Sequence, residues 1–188
     1  EGEYNGIYTN LRYTNYGLQT FTGIEDDFDG SSIYNATGIE DVKVYAVSAD
    51  NLSFDDIIAR STLFTKTSSA NVGDYGVYLE EANSTGVDLS IYMPSYNNKA
   101  SLVTYTLKDV VVLHNDIAEI AWDFLGSDYE DDINELIIVI KLPGNSSDLR
   151  VFSHGPLNGT NEIVNQGEVK AIWTNLPAKQ AVDVRVVF

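Results

Sequence analysis

The acidic run of Asp26, Asp27 and Asp29, followed by Gly30, is the first feature of the sequence that could do chemistry. Calcium binds oxygens from closely spaced carboxylates and carbonyls, and a glycine allows the sharp turn that such a loop needs. The EF-hand spacing is not met, because Thr37 stands where the bidentate glutamate would be. The sequence therefore predicts a solvated acidic loop, with a calcium site at the three aspartates as the alternative.

Two histidines are the next candidates for chemistry. Neither His114 nor His154 lies in H-E-x-x-H spacing, and the chain has no cysteine to complete a zinc set. We expect His114 to form part of a turn at a strand end. Ser153 precedes His154 without a G-x-S-x-G elbow. A Ser-His-Asp triad is defined in space, so it stays open, but nothing in the sequence favours one.

Motifs for other reactions are also missing from the sequence. It contains no glycine cluster of the dinucleotide-binding or P-loop type. A glycosidase needs only two suitably separated carboxyl groups, and among 28 acidic residues such pairs arise by chance. We therefore expect neither an enzyme nor a cofactor.

The charge of the chain limits its partners. Eleven basic against 28 acidic residues give a net charge of −17. A field of this sign repels phosphate backbones, so nucleic acid is not an expected partner. Solubility is the simplest role for the acidity, and binding of cations or of a cationic partner is the alternative.

Aromatic residues raise the question of a recognition surface. Trp122 and Trp173 alternate with apolar strand residues, so we expect both in the core. Tyrosines near turns are freer to be exposed and to contact a protein or glycan partner. These tyrosines are Tyr75, Tyr78, Tyr92, Tyr96 and Tyr129.

The elements that must position these residues have the two-residue period of β-strands. Val182, Val184 and Val186 alternate with Asp183 and Arg185, as in a strand with one buried face. Several similar runs are separated by turns rich in Gly and Asn, which is typical of a β-sandwich. We predict a single all-β domain over residues 1–188, an antiparallel two-sheet sandwich that is immunoglobulin-like or similar.

Two segments depart from simple alternation. Ser53 and Asp56 form a capping box before Ile57, Ile58 and Phe64, which predicts one short helix near residues 53–64. Residues 135–142 are apolar at nearly every position until Lys141, as expected of a central strand that is covered on both faces.

A resemblance is carried by residues 101–144, SLVTYTLKDVVVLHNDIAEIAWDFLGSDYEDDINELIIVIKLPG. A strand ending in "YT" precedes a "D-x-A-E-x-x-W" segment containing Glu119 and Trp122, and a later apolar strand closes in Leu142-Pro143. The opening Gly6-Ile7-Tyr8 adds a "G-I-Y" element, although Thr9 stands where a basic residue is usual. The chain thereby resembles the N-terminal extracytoplasmic domain of the YciQ-like family of predicted bacterial membrane proteins, a domain of unknown function (DUF2207).

The resemblance implies a location but no reaction. It implies a non-catalytic interaction or sensing domain on the extracytoplasmic side of the bacterial cell membrane, at the cell surface. The chain begins without Met, so we expect an excised fragment whose signal peptide and membrane anchor lie outside it. The resemblance further implies that the first strand or strands, which family members place before the "G-I-Y" element, are missing. The anchor would follow Phe188 as an apolar segment of about 20 residues. The alternative function is a secreted carbohydrate- or cation-binding module.

Overall fold

The computed structural model describes residues 6–12, 17–20, 31–34, 36–47, 56–93 and 100–188. All regular secondary structure in these ranges is β-strand, and every pairing except one is antiparallel, which confirms the predicted all-β class. The described residues include no candidate membrane-spanning helix. The strands are β1 (Gly6–Arg12), β2 (Gly17–Thr20), β3 (Ser31–Tyr34), β4 (Gly38–Val47), β5 (Ser61–Leu63), β6 (Thr65–Lys66), β7 (Val77–Asn83), β8 (Gly86–Tyr92), β9 (Ala100–Lys108), β10 (Val111–Leu113), β11 (Ala118–Leu125), β12 (Ile133–Lys141), β13 (Arg150–His154), β14 (Thr160–Asn165), β15 (Glu168–Leu176) and β16 (Val182–Val187).

The chain divides into two compact units, one of Glu1–Tyr13 with Gly38–Lys108 and the other of Thr14–Thr37 with Asp109–Phe188. Each unit contains its own hydrophobic core. A single domain over residues 1–188 stays a prediction, because two compact units can belong to one folding domain.

The first unit contains two sheets that share a core. One sheet has the order β1-β8-β7-β6 and the other has the order β5-β4-β9. Val87, Leu89 and Ile91 of β8 are buried at every second position, as their spacing predicts. Tyr78 on β7 donates from its hydroxyl to the carbonyl oxygen of Val42 on β4, at 3.0 Å, which joins the two sheets.

The second unit is built in the same way. Its sheets are β10-β11-β16-β13 and β12-β15-β14, with a separate hairpin of β2 and β3. Side chains from β12, β15 and β16 form one core between the two larger sheets. Trp122 and Trp173 are both buried, which confirms the prediction that they belong to the interior. Face-to-face packing of antiparallel sheets is the sandwich arrangement that the alternation predicted.

The predicted short helix near residues 53–64 is wrong in the part that the structure describes. Asp56 to Arg60 form a turn, in which the Arg60 N–H donates to the Asp56 carbonyl at 3.2 Å, and Ser61 already begins β5. Phe64 is buried in the core of the first unit, and its N–H donates to Val44 at 2.8 Å. These tertiary contacts draw the chain into a sheet and override a weak local helix signal.

The strand β12 also differs from expectation. Within the described ranges it pairs with β15 alone, so it lies at the edge of its sheet and not at the centre. Its continuous apolar run therefore does not come from a central position in the sheet, but from contacts on both faces of the strand. Leu136, Ile138 and Ile140 contact the core, while Ile137 lies on the other face, opposite Ile172 of β15.

Candidate functional site

One face of the sheet β10-β11-β16-β13 concentrates the ionisable residues of the second unit. Val182, Val184 and Val186 of β16 belong to the core, so Asp183 and Arg185 lie on the opposite face. The register places Ala121 opposite Arg185 and Asp123 opposite Asp183. We call this the charged face and define it by Glu119, Asp123, Asp183 and Arg185, together with His114 and His154.

A buried ion pair lies at the centre of the charged face. Glu119 on β11 is 2% exposed and Arg185 on β16 is 3% exposed. Arg185 Nε lies 3.4 Å from Glu119 Oε1, so two opposite charges face each other inside the protein. Removing a charge from water is costly, and a close partner of opposite sign offsets that cost.

Two further side chains contact this ion pair from less buried positions. His114 Nε2 lies 3.1 Å from Glu119 Oε2, so both carboxylate oxygens of Glu119 have nitrogen neighbours. The guanidinium carbon of Arg185 lies 5.7 Å from the ring centroid of Phe152 on β13, a distance typical of cation–π contacts. His114 directly follows the strand β10, and its backbone N–H donates to the carbonyl oxygen of Ile117 at 2.8 Å, which confirms the predicted turn.

A second histidine–carboxylate pair lies on the same face. His154 Nδ1 is 2.5 Å from Asp183 Oδ1, and the two residues are directly opposite each other on β13 and β16. Asp123 on β11 faces Asp183 from the other side. Burial, followed by the negative charge of Asp183, raises the pKa of Asp123 above its ordinary value.

The raised pKa of Asp123 predicts that this residue lowers the stability of the folded protein at neutral pH. An acid with a raised pKa in the folded state destabilises that state once it ionises, and this cost vanishes below its unfolded pKa of about 3.9. We expect Asp123→Asn to raise the free energy of unfolding by about 0.5–1 kcal/mol at pH 7, because like charges opposite each other are removed.

The gain from Asp123→Asn should shrink as the pH falls through the raised pKa and disappear below about pH 4. Urea unfolding at several pH values measures this change. Asp131→Asn, which alters an exposed aspartate, is the control and should show no such gain. An equal gain at pH 3 and pH 7 would contradict the assignment.

The charged face lacks the geometry of a serine hydrolase. Ser153 precedes His154 on β13, so the two side chains point to opposite faces of the strand. Ser153 Oγ donates to Asn161 Oδ1 at 2.8 Å and contributes to the contact between β13 and β14. The adjacent Ser-His pair in the sequence is therefore not a nucleophile with its base.

The predicted calcium ligands Asp26, Asp27 and Asp29 lie outside the described residues, so the calcium site stays a prediction. Among the residues that the structure does describe, no group of three or more His, Asp or Glu side chains could hold a metal ion.

The tyrosine predictions have mixed outcomes. Tyr75 and Tyr129 are exposed, at 56% and 44%, as their positions near turns predict. The exposure expected for Tyr78 is wrong, because this side chain is buried and bonded to Val42. Tyr92 is half-buried, and Tyr96 lies outside the described residues.

Arg185 is the functional candidate that sequence reasoning missed. Its alternation with the valines of β16 predicted that Arg185 lies on the polar face of the strand, exposed to solvent. The sequence contained one sign of a buried partner for Arg185, namely Glu119. This acid lies in the "D-x-A-E-x-x-W" segment, on the same strand as the buried Trp122. Sequence spacing cannot show that residues 119 and 185 lie on adjacent strands.

Comparisons with known proteins bear on the identity of the chain. A family model described as the N-terminal domain of a predicted membrane protein, DUF2207, matches residues 1–188. No curated protein and no solved structure gave a significant match. Since the family model matches the whole length, and the elements at residues 101–144 agree with it, the chain belongs to the DUF2207 family of predicted membrane proteins.

Proposed function

We propose that this chain is a non-catalytic extracytoplasmic domain of a membrane-anchored bacterial protein and that it acts in interaction or sensing. Membership of a family of predicted membrane proteins supports the anchored parent. One observation carries the functional part. The ionisable side chains of the charged face contact one another within a sheet, whereas most of the exposed large apolar side chains of the described residues lie on loops and edge strands.

The bonding of the charged face supports a structural role. Glu119 is hydrogen-bonded to His114 and forms an ion pair with Arg185, and Asp183 is hydrogen-bonded to His154, so these acids stabilise neighbouring cations or imidazoles. A catalytic acid–base pair needs two groups whose environments shift their pKa values apart around a space for substrate. A buried ion pair between two central strands leaves no such space between its members.

The exposed apolar residues support a role in interaction. Leu157, in the loop between β13 and β14, is fully exposed, and Ile163 and Val164 on β14 are also exposed. The Leu157 loop is held in place by its neighbours, because Asn158 donates to Thr174 at 2.7 Å and Trp173 donates to Pro156 at 3.1 Å. Contact surfaces are marked by exposed apolar residues that act together, so we assign the proposed contact to Leu157 together with the exposed residues of β14.

The location is tested by cysteine labelling, because the chain has no cysteine of its own. Leu157→Cys in the full-length parent protein introduces one exposed thiol. In intact cells, we expect a membrane-impermeant maleimide to label this thiol. The parent protein without the substitution gives the background. Val184→Cys, at a buried position, should react only after denaturation. Labelling of Leu157→Cys only after permeabilisation would place the domain in the cytoplasm and contradict the proposal.

A further inference from the structure

The strand β12 has one edge that the described part of the chain leaves without a paired strand. The N–H of Leu142, just after β12, donates to Gly167 of the β14–β15 turn at 2.8 Å, continuing the register of β12 with β15. Backbone groups of successive residues in an antiparallel strand point alternately towards and away from the partner. The N–H and C=O groups of Glu135, Ile137 and Val139 therefore point to the open edge.

Apart from the charges at its two ends, Glu135 and Lys141, β12 lacks within the described part of the chain the features that usually prevent strands from associating. Natural edges are short, bulged, or interrupted by proline or inward-pointing charges. β12 is nine residues long, and its pairing with β15 shows no register shift. It contains five consecutive apolar residues, from Leu136 to Ile140. A strand of this kind is expected to be covered in the working protein.

The sequence of β12 is complementary to itself in the antiparallel direction. If two copies meet at a twofold axis through Ile138, Glu135 faces the partner's Lys141 and Ile137 faces the partner's Val139. The outward-pointing backbone groups then form the hydrogen-bonded pairs of the new ladder, and the two Ile138 residues form a non-hydrogen-bonded pair. Only the register with its axis through Ile138 pairs Glu135 with Lys141, pairs Ile137 with Val139, and brings the outward-pointing backbone groups of the two strands together.

The surroundings of β12 fit the same register. A net charge of −17 would make two copies repel each other unless the contacting surface is locally balanced. Glu135 and Lys141 supply one charge of each sign within β12.

We infer that β12 is the dimerisation edge of this chain and that its partner is the β12 strand of a second copy. The two three-stranded sheets β12-β15-β14 then join into one six-stranded sheet. The buried area of a single strand pair is small, so the isolated chain is expected to associate weakly. Attachment of both copies to one membrane would raise their effective concentration. The inference depends on the unpaired edge and the sequence of β12, and it does not depend on where the domain is located.

Sedimentation velocity of the chain over a concentration series tests the dimer. We expect a monomer–dimer equilibrium that Val139→Pro abolishes. The N–H of Val139 points away from β15, so proline removes a bond of the new ladder and keeps those of the existing one. Circular dichroism should show that the variant remains folded. A chain that is monomeric throughout, or a dimer that the folded Val139→Pro leaves unchanged, would overturn the inference.

Charge reversal separates pairing from general effects on the fold. Glu135→Lys places two lysines opposite each other at both symmetric ends and should weaken dimerisation roughly tenfold. The double variant Glu135→Lys with Lys141→Glu restores opposite charges and should recover most of the association. A double variant that associates no better than Glu135→Lys would contradict the register.

Disulfide formation tests the position of the twofold axis. Directly opposed residues of a non-hydrogen-bonded pair have Cα atoms about 4.5 Å apart, within the range of about 4.4–6.8 Å that a disulfide spans. Under mild oxidation Ile138→Cys should therefore form a covalent dimer. Ile140→Cys lies on the same face of β12, but its equivalent in the partner is four residues away along the strand, so it should not. Equal crosslinking at both positions would refute the proposed axis.

Discussion

Glu119→Gln is expected to lower the free energy of unfolding by about 3–5 kcal/mol, because it removes the buried carboxylate charge that lies 3.4 Å from the buried Arg185 Nε. The two side chains are almost the same size, so packing changes little and the effect reports charge. Urea unfolding at pH 7 measures it. Glu40→Gln is the matched control, because Glu40 pairs with Lys108 at 3.5 Å with both side chains half exposed. Such surface pairs contribute at most about 1 kcal/mol.

A double replacement separates the cost of breaking the Glu119–Arg185 ion pair from the net contribution of that pair to stability. Glu119→Leu with Arg185→Met removes both charges and keeps much of the buried volume. Apolar replacement of buried ion pairs is often neutral or stabilising, so the double variant should recover most of the stability lost in Glu119→Gln. If Glu119→Gln costs no more than Glu40→Gln, the Glu119–Arg185 pair does not stabilise the second unit.

Gly159→Ala is expected to cost about 1–3 kcal/mol, because the added methyl group has no room. A Cβ atom at this position would lie 2.3 Å from Trp173 Nε1 and 2.5 Å from its Cε2. Trp173 cannot easily move, since it is 1% exposed and its indole N–H donates to Pro156. The loss should be measurable by urea unfolding together with a change in near-ultraviolet circular dichroism of the indole.

Gly144 provides the comparison for Gly159. It is also in a loop of the second unit, but no atom lies within 4 Å of the position where its Cβ would be. Gly144→Ala should therefore change the free energy of unfolding by no more than about 0.5 kcal/mol. Similar losses in both variants would mean that a general effect of replacing loop glycines, and not the contact with Trp173, determines the result.

The period of the hydrophobic residues was sufficient to predict the class of fold and much of its core. Val182, Val184 and Val186 are buried as alternation requires, and both tryptophans are internal. Alternation reports which residues share a face, but not what covers that face. Arg185 was therefore placed correctly on the polar side of β16 and wrongly in solvent.

Two other errors have the same origin in non-local contacts. The apolar run in β12 is compatible with a central strand and with an edge strand that packs on both faces, and only its pairing with β15 distinguishes them. At residues 56–63, a capping signal was outweighed by the burial of Phe64. The charged face depends on residues that are about 30 to 70 positions apart, such as His154 with Asp183 and Glu119 with Arg185. No local motif encodes those pairs.

The position of β16 has a consequence for how the protein is made. This strand comes last in the described order, yet it lies between β11 and β13 and supplies Val182, Val184 and Val186 to the core. While a ribosome is synthesising the chain, β11 and β13 have no strand to join them until residues 182–187 emerge. The second unit is then expected to complete its folding late, with slow closure of non-local contacts.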